Sequence, residues 1–328
     1  MYRFFQDFNP EVQNVGLKAK LTNFLWAFVF FCKHRKPEIV YRLGGGLGDH
    51  LLCTILFSNL RNTTQKVWMM SFYPEIFRKN PHLDTVVPDS WRVVKYCNFF
   101  KIEIVELSYT HFIDEGDKMQ SPAHHIAIEI LKRAKLHGEF RLCPLFFDIK
   151  PFSYHKPYVC IQSADTNSST IAQNKQWNSK GFNDIASVVS EKYMVIQVGL
   201  PSEEKLSNAI DFTESPSISK TAGILEGAEF FIGQEGFLMH LARAVETRSV
   251  IIFGGRVKSW QTGYSCNENL ESEVTCSPCW QNNNCDYDRM CISDISVGHV
   301  LTAIERIEKR SRSELEEDVV NISSSVKN

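Results

Sequence analysis

The chain is 328 residues long, 43% hydrophobic and 23% charged, with a formal net charge of −2. This is the balance of a globular protein with core enough for two domains, and it excludes a protein drawn to nucleic acid or acidic partners by bulk charge. Ten cysteines and the lack of a signal-peptide pattern in the first residues set the expectation at the reducing cytoplasm, with thiols free or metal-bound.

Residues 1–36 read as an appendage. The aromatic-rich run Leu21–Cys32 leads straight into Lys33-His-Arg-Lys36 and is shorter than the roughly 20 apolar residues that span a bilayer. Two readings are open. One is a helix with one face in the membrane surface and its basic residues on anionic headgroups, which would place the protein peripherally on the inner face of the cytoplasmic membrane. The other is a helix packed across the protein itself.

From Glu38 the pattern alternates. Residues 39–43 predict a buried parallel strand, the turn Gly44-Gly-Gly-Leu-Gly48 follows, and Leu51, Leu52, Ile55, Leu56 and Leu60 predict a helix starting at Asp49 or His50. Strands are expected over 66–72, 83–87 and 102–107, a short helix over 74–80, and a helix over 121–137 opened by Ser121-Pro122. The proline-bearing stretch 142–154 reads as a linker. A second set then brings strands over 158–162, 193–198, 230–232 and 249–253, with helices over 182–192, 221–226 and 237–245. The division is an N-terminal domain over 37–150, a C-terminal domain over 151–310 and a flexible tail over 311–328. Two Rossmann-like α/β domains with parallel sheets predict a cleft between them, with ligands at the carboxyl ends of the strands.

A strand, a glycine turn and a helix start form a surface where backbone approaches a ligand closely. Asp49 at that start is either an ordinary helix cap or a functional carboxylate. The turn is not a dinucleotide fingerprint: Asp49 stands where the third glycine belongs, and no acid follows the second strand until Glu75. It lacks the Gly-Lys-Ser/Thr ending of a P-loop as well.

Arg42-Leu-Gly-Gly-Gly-Leu-Gly-Asp-His-Leu-Leu52 resembles the opening motif of glycosyltransferase family 9, the ADP-heptose:lipopolysaccharide heptosyltransferases. Three later stretches resemble the same family in order: Pro74 to Val87 with Phe77, Asn80-Pro81 and Asp84; Lys175-Gln-Trp177; and Gly233-Gln-Glu-Gly-Phe-Leu-Met-His-Leu241, against the family's Gly-Asn-Asp-Ser-Gly-Pro-x-His-Leu. Cys276-Ser-Pro-Cys-Trp280 and the later Cys291 also occur in some members, including the bacterial autotransporter heptosyltransferases. The likeness runs from Ile39 to about Ile307.

The resemblance implies the glycosyltransferase B fold, with the acceptor mostly on the N-terminal domain and the nucleotide sugar on the C-terminal one. It also implies inversion at the anomeric carbon without a catalytic metal. Carried over residue by residue, it makes Asp49 the general base and Lys175 a cation on the donor diphosphate. The turn Glu235, Gly236, Phe237, Leu238 and Met239, with His240, becomes the phosphate cradle. Apart from the resemblance, Ser163 and Glu203 are further donor-side candidates: Glu203, after Gly199-Leu-Pro-Ser, is placed either to accept from the ribose or to serve as a helix-start carboxylate beside a Ser202 cap. Gly45, Gly46, Gly48 and His50 form the acceptor-side loop. The chain departs from the family where Glu235 replaces Asp and Gly236-Phe237-Leu238 replaces Ser-Gly-Pro, so Phe237 crowds the approach to the backbone amides.

An inverting transfer needs a carboxylate to take the proton of the acceptor hydroxyl. At a helix start Asp49 is expected to be ionised and of lowered basicity, which suffices if the proton moves late. The leaving diphosphate gathers negative charge that a lysine and a helix N-terminus stabilise. Taken alone, Lys175 is a solvated loop lysine and His240 a core histidine.

Cys276, Cys279, Cys285 and Cys291 give C-x2-C-x5-C-x5-C within the Cys-rich loop 266–291, a spacing that suits a structural zinc or iron in tetrahedral thiolate coordination. Reduced thiols or one disulfide are the alternatives, and Cys266 is a substitute ligand. The expected partners are a nucleotide-sugar donor and a glycan, lipid-linked or protein acceptor, with no nucleic acid. The alternative to an enzyme is a non-catalytic nucleotide-sugar binder or scaffold on the same fold.

Overall fold

The computed structural model describes residues 36–60, 66–113, 117–164, 172–214, 217–310 and 318–322. The run Leu21–Cys32, with both readings of the appendage, lies outside them. Among the described residues no helix is long and apolar enough to cross a membrane.

Short apolar runs build the first sheet. β1 (Ile39–Arg42), β2 (Val67–Ser71), β3 (Thr85–Pro88) and β4 (Glu103–Glu106) pair in parallel in the order β3-β2-β1-β4. β2 is buried throughout, as a strand covered on both faces must be. Two short helices, α1 (Leu47–Leu52) and α2 (Thr54–Asn59), follow β1. They part at Cys53, where Thr54 Oγ1 donates back to Leu51 O at 2.7 Å and accepts the Leu145 N–H of the linker at 2.7 Å. α3 (Trp91–Phe99) joins β3 to β4 and is absent from the sequence-based expectations. Its Trp91 and Phe99 are 42% and 72% exposed, which blurs the one-sided pattern that marks a helix. α4 (Ile126–Arg133) begins later than the expected Ser121-Pro122 start because His125 caps it: Nδ1 accepts the Ala127 N–H at 3.2 Å. Ser121 Oγ and Pro122 O instead accept from Gln261 Nε2. β5 (Gly138–Arg141) then stands apart from the sheet.

After the linker, β6 (Tyr158–Ile161), β7 (Met194–Gln197), β8 (Ile210–Asp211), β9 (Phe231–Gln234), β10 (Ser249–Ile252) and β11 (Glu268–Leu270) form a parallel sheet in the order β11-β10-β9-β6-β7-β8. The helices are α5 (Ser179–Val189), α6 (Ile218–Glu226), α7 (Phe237–Ala244), α8 (Ser259–Thr262), α9 (Met290–Ser293) and α10 (Val297–Lys309). α5 starts ahead of the expected Phe182 because Asn178 Oδ1 accepts the Gly181 N–H at 2.6 Å.

One expectation is overturned at the carboxyl end. Within the segment read as a flexible tail over 311–328, β12 (Val319–Ile322) pairs antiparallel with β5. Its β-branched residues complete a ladder that Gly138–Arg141 leaves open, so the chain returns to the N-terminal domain.

A single apolar cluster runs through both domains. Leu51, Leu52, Ile55 and Leu56 from α1 and α2 belong to it together with Met239, Leu241 and Ala242 from α7. Separate clusters fill the other face of each sheet: Trp68, Tyr96 and Cys97 under α3, and Ile185, Val300 and Ile304 under α5 and α10.

Each sheet reverses its strand order once. In the first, β1 leads to β2 and β3 on one side and β4 on the other; in the second, β6 leads to β7 and β8 on one side and β9 to β11 on the other. Loops diverge at such points and leave a crevice at the carboxyl ends of the two flanking strands. The residues after β1, β4, β6 and β9 are therefore the ones placed to meet a ligand.

Candidate active site

Asp49 follows β1. α1 starts at Leu47, with Gly46 as its cap in extended backbone, so Asp49 is the third helical residue rather than the first. Its Oδ2 accepts the Gly46 N–H at 2.7 Å. Gly45 has a φ of +140°, and a Cβ there would sit 2.7 Å from Asp49 Oδ2; the fold of the carboxylate over this turn requires glycine.

Tyr109, three residues past β4, reaches the same carboxylate. Its hydroxyl donates to Asp49 Oδ1 at 2.6 Å. Burial raises the carboxyl above the usual aspartate range, outweighing the Tyr109 and Gly46 bonds and the attraction of Lys175, while Glu235 pushes in the same direction as burial. The expected lowering of basicity at a helix start is thus reversed: desolvation wins over capping. The Tyr109 phenol itself is held well above its ordinary value by burial and by the Asp49 charge, so it stays a donor.

Lys175 closes a short 3-10 turn, Gln173–Lys175, anchored by the neighbouring Trp177. The indole is buried, its Nε1 donates to Ile295 O at 2.8 Å, and its backbone N–H donates to Gln234 Oε1. The lysine is no solvated loop cation: its side chain is 22% exposed and ion-paired with Glu235 just past β9. Burial lowers Lys175 below the ordinary lysine range, with Glu235 opposing. Burial pushes Glu235 upward, but the attractions of Lys175 and Arg256 outweigh it and leave the carboxyl below its usual range. Asp49 and Lys175, from opposite domains, act on each other's charge.

The turn after Glu235 opens α7. Gly236 caps it with a φ of +151° and no side chain on the first amides, and a Cβ built there would meet nothing within 4 Å. Open space thus lies before a helix N-terminus, a position suited to an anion. Leu238, Met239 and His240 are buried behind it. His240 Nδ1 lies 2.7 Å from the Tyr264 hydroxyl, and burial lowers its pKa to about 3. A Cβ on Gly48 would approach His240 Cδ2 to 3.1 Å and Phe237 Cα to 3.5 Å, so Gly48, Phe237 and His240 form the seam where α1 meets α7.

Two expected site residues are held by groups of their own domains. His50, one position round the helix from Asp49, is fully buried in the N-terminal core; its Nδ1 is 2.8 Å from Ser71 Oγ, its ring stands edge-on to Tyr73, and burial lowers its pKa to about 4. It does not join Gly45 and Gly46, which are exposed, on the acceptor side. Glu203 lies in a turn and starts no helix. Its carboxylate is folded over Gly199, where a Cβ would collide at 2.1 Å, and accepts from Gln162 Nε2 at 3.0 Å and the Ser163 N–H at 3.3 Å. Glu203 therefore joins the loop after β7 to the loop after β6, and Ser163 is buried beneath it.

Tyr109 and Arg256 are the site residues that the sequence reading missed. Each follows a strand at its carboxyl end, which is the only signal the sequence offered for them. Arg256 comes after β10 and the pair Gly254-Gly255.

The cysteines line one cavity of 230 Å³: Cys276, Cys279, Cys285 and Cys291 surround it with Arg256 and Arg289. The donor set, four soft thiols around one space, fits zinc or iron. Among the described residues, however, no three His, Cys, Asp or Glu side chains are already gathered at metal-binding distance. Cys266 is not a substitute ligand. It is buried elsewhere, beside Arg243, Cys143 and Asp318, and its thiol is pushed up to about 11 by burial. The cysteine loop also ties the two halves of the site together. Trp280 O accepts the Met119 N–H at 3.0 Å, Asp117 accepts from the Asn283 and Asn284 N–H groups, and Asn282 O accepts the Asn174 N–H at 2.8 Å.

No family model matches the sequence, and no curated protein matches it either. Solved structures do. TibC, an iron-containing dodecameric glycosyltransferase from enterotoxigenic E. coli, is 18% identical with a TM-score of 0.66, over 84% of this chain and 80% of that one. A family 9 glycosyltransferase from Veillonella parvula is 13% identical with a TM-score of 0.60, over 83% and 97%. The E. coli ADP-heptose lipopolysaccharide heptosyltransferase II is 11% identical with a TM-score of 0.58, over 82% and 98%. The chain has the fold of a family 9 glycosyltransferase. Within that fold, the two-domain glycosyltransferase B arrangement, Asp49 and Lys175 stand on opposite sides of the interdomain seam.

Proposed function

We propose that the protein is an inverting glycosyltransferase. It moves a sugar, heptose or a related one, from a nucleoside diphosphate to a hydroxyl of a glycan, lipid-linked or protein acceptor. The observation that carries this reading is the convergence of Asp49 and Lys175 at the reversal points of two facing sheets, each within range of the other's charge. The structural neighbours support the donor class: TibC was crystallised with ADP-D-β-D-heptose and the E. coli heptosyltransferase WaaC with ADP.

In this reading the acceptor enters beside the exposed Gly45-Gly46 backbone. Its oxygen attacks the anomeric carbon while its proton passes to Asp49, and the bond from that carbon to the diphosphate oxygen breaks. The electron pair leaves with the diphosphate, toward Lys175 and the N-terminus of α7. Tyr109 holds one carboxylate oxygen and so orients the base. Raised basicity makes Asp49 a better proton acceptor than a solvated aspartate. A lipid-linked acceptor would suit a peripheral position on the cytoplasmic face of the membrane. The four cysteines would hold a structural zinc or iron, which when bound supplies a thiolate cross-link within the loop and no chemistry at Asp49.

The test is release of nucleoside diphosphate from a panel of nucleotide sugars, with and without candidate acceptors. Asp49→Asn keeps size and capping but cannot take the proton, so release should fall about 100-fold or more. Burial raises the Asp49 carboxyl, so its ionised form costs stability at neutral pH, and the variant should melt no lower than wild type. The second reading, a non-catalytic binder, draws on the Lys175–Glu235 pair, which already engages the expected phosphate cation. Binding of a nucleotide sugar without turnover in any acceptor panel would favour it.

A further inference from the structure

Arg256 is 9% exposed and sits at the carboxyl end of β10, on a turn with no spare room. A Cβ on Gly254 would come within 2.7 Å of Asn174 O, and one on Gly255 within 2.8 Å of Cys291 Sγ. The turn is thereby wedged between the lysine turn and the cysteine loop. The guanidinium is held from three sides by groups without charge. Nε donates to Asn282 Oδ1 at 2.9 Å, Nη2 points to Met119 Sδ at 3.6 Å, and the plane lies over the Trp280 ring at 5.0 Å. Among the described residues no carboxylate forms an ion pair with it.

A buried cation without an ion-pair partner is costly, and here three elements combine to keep one in place. The neighbourhood says what it waits for. Lys175 is ion-paired with Glu235, and Arg256 adds a second positive charge that Glu235 also feels, so two cations share one carboxylate on this side of the crevice. Its field reaches Glu235, Lys175 and Tyr109, which places it beside the same crevice. The α7 N-terminus and the open space at Gly236 lie on the adjacent strand end.

We propose that Arg256 binds the diphosphate of the donor, as its principal cationic ligand beside the Lys175–Glu235 pair. This rests on the transferase reading. A guanidinium offers parallel donors that match phosphate oxygens two at a time, and the missing negative charge is what a diphosphate brings. Asn282 and Trp280 are positioning residues for it, so the cysteine loop presents the donor-binding arginine.

The experiment is calorimetric titration of wild type, Arg256→Gln and Arg256→Lys with ADP, UDP, GDP, inorganic pyrophosphate and the unphosphorylated nucleosides, with melting curves of each ligand-free protein. Wild type should bind pyrophosphate and at least one nucleoside diphosphate. Arg256→Gln should weaken both about 10- to 100-fold, Arg256→Lys should fall between, and nucleoside binding should not change. The ligand-free Arg256→Gln protein should melt at or above the wild-type temperature, because a buried charge is removed and no ion pair is lost. Equal pyrophosphate affinity in wild type and Arg256→Gln would overturn the proposal and leave the transferase reading standing. Arg256→Gln melting well below wild type while Arg256→Lys binds as wild type would make Arg256 structural and overturn it too. A wild-type protein that binds no nucleoside diphosphate would take down both.

Discussion

Replacing Tyr109 by Phe removes one hydroxyl and its 2.6 Å bond to Asp49 Oδ1, and keeps the ring. A hydrogen bond to a charged group contributes about 1.5–3 kcal/mol, and this one favours the ionised carboxylate alone. Burial already raises the Asp49 carboxyl, with Tyr109 the largest influence pulling it back, so the loss adds to burial rather than offsetting it. At 1.36 kcal/mol per unit, the apparent pKa of the base should rise by about one to two pH units, toward the lower figure if water enters in place of the hydroxyl. The assay is kcat/KM for nucleoside diphosphate release against pH. The acid limb, where Asp49 becomes protonated and inactive, should move to higher pH by about one unit in Tyr109→Phe, with little change on the plateau. Melting curves confirm the fold. Superimposable acid limbs in wild type and a folded Tyr109→Phe protein would refute the argument that this bond sets the basicity of Asp49.

Lys175→Met leaves the buried Glu235 carboxylate without its ion-pair partner and should cost about 2 kcal/mol, less than a sealed pair because Arg256 remains nearby. The double variant Lys175→Met/Glu235→Gln should recover most of it in urea unfolding, and equal loss in both would argue against the pair. His50 and His240 have folded pKa values lowered to about 4 and about 3 by burial, below the unfolded value of about 6.5. The unfolded chain therefore binds more protons, and stability should be full above about pH 6.5 and fall as pH drops toward 5, by up to about 1.4 kcal/mol per unit for each histidine. A flat unfolding free energy from pH 7 to 5 would contradict this. If the four cysteines hold a metal, elemental analysis should find close to one zinc or iron per chain. A chelator should lower the melting temperature, and donor affinity with it, since the loop holds Arg256; metal-free protein with four titratable thiols in the loop would rule the site out.

Much of the fold was legible because it is local. Alternating apolar runs gave the strands β1, β2, β6, β7, β9 and β10 within a residue or two, and the long amphipathic pattern gave α7. Two helix starts moved for local reasons: α4 begins after His125 and α5 after Asn178 because those side chains cap them. Other failures arose where tertiary contacts override local signals. β5 and β12 are too short to announce themselves, and each exists because the other lies beside it. His50 is adjacent to Asp49 in sequence, yet a helix turns adjacent residues about 100° apart, and the core took one while the cleft took the other.

The sequence by itself determined the glycine turn, its carboxylate, the lysine beside a tryptophan and the second turn at Glu235. Each is a matter of backbone freedom or neighbouring residues, and these act over a few positions. Only the tertiary structure decided what those groups became. Tyr109 meets Asp49 across sixty residues of chain, Glu235 pairs with Lys175, and Arg256, at the end of a different strand, is left without an ion pair among the described residues. Whether burial raises the Asp49 carboxyl or a helix start lowers it was likewise settled by the surrounding atoms. Desolvation and charge depend on distance in space, and a linear order of residues carries neither.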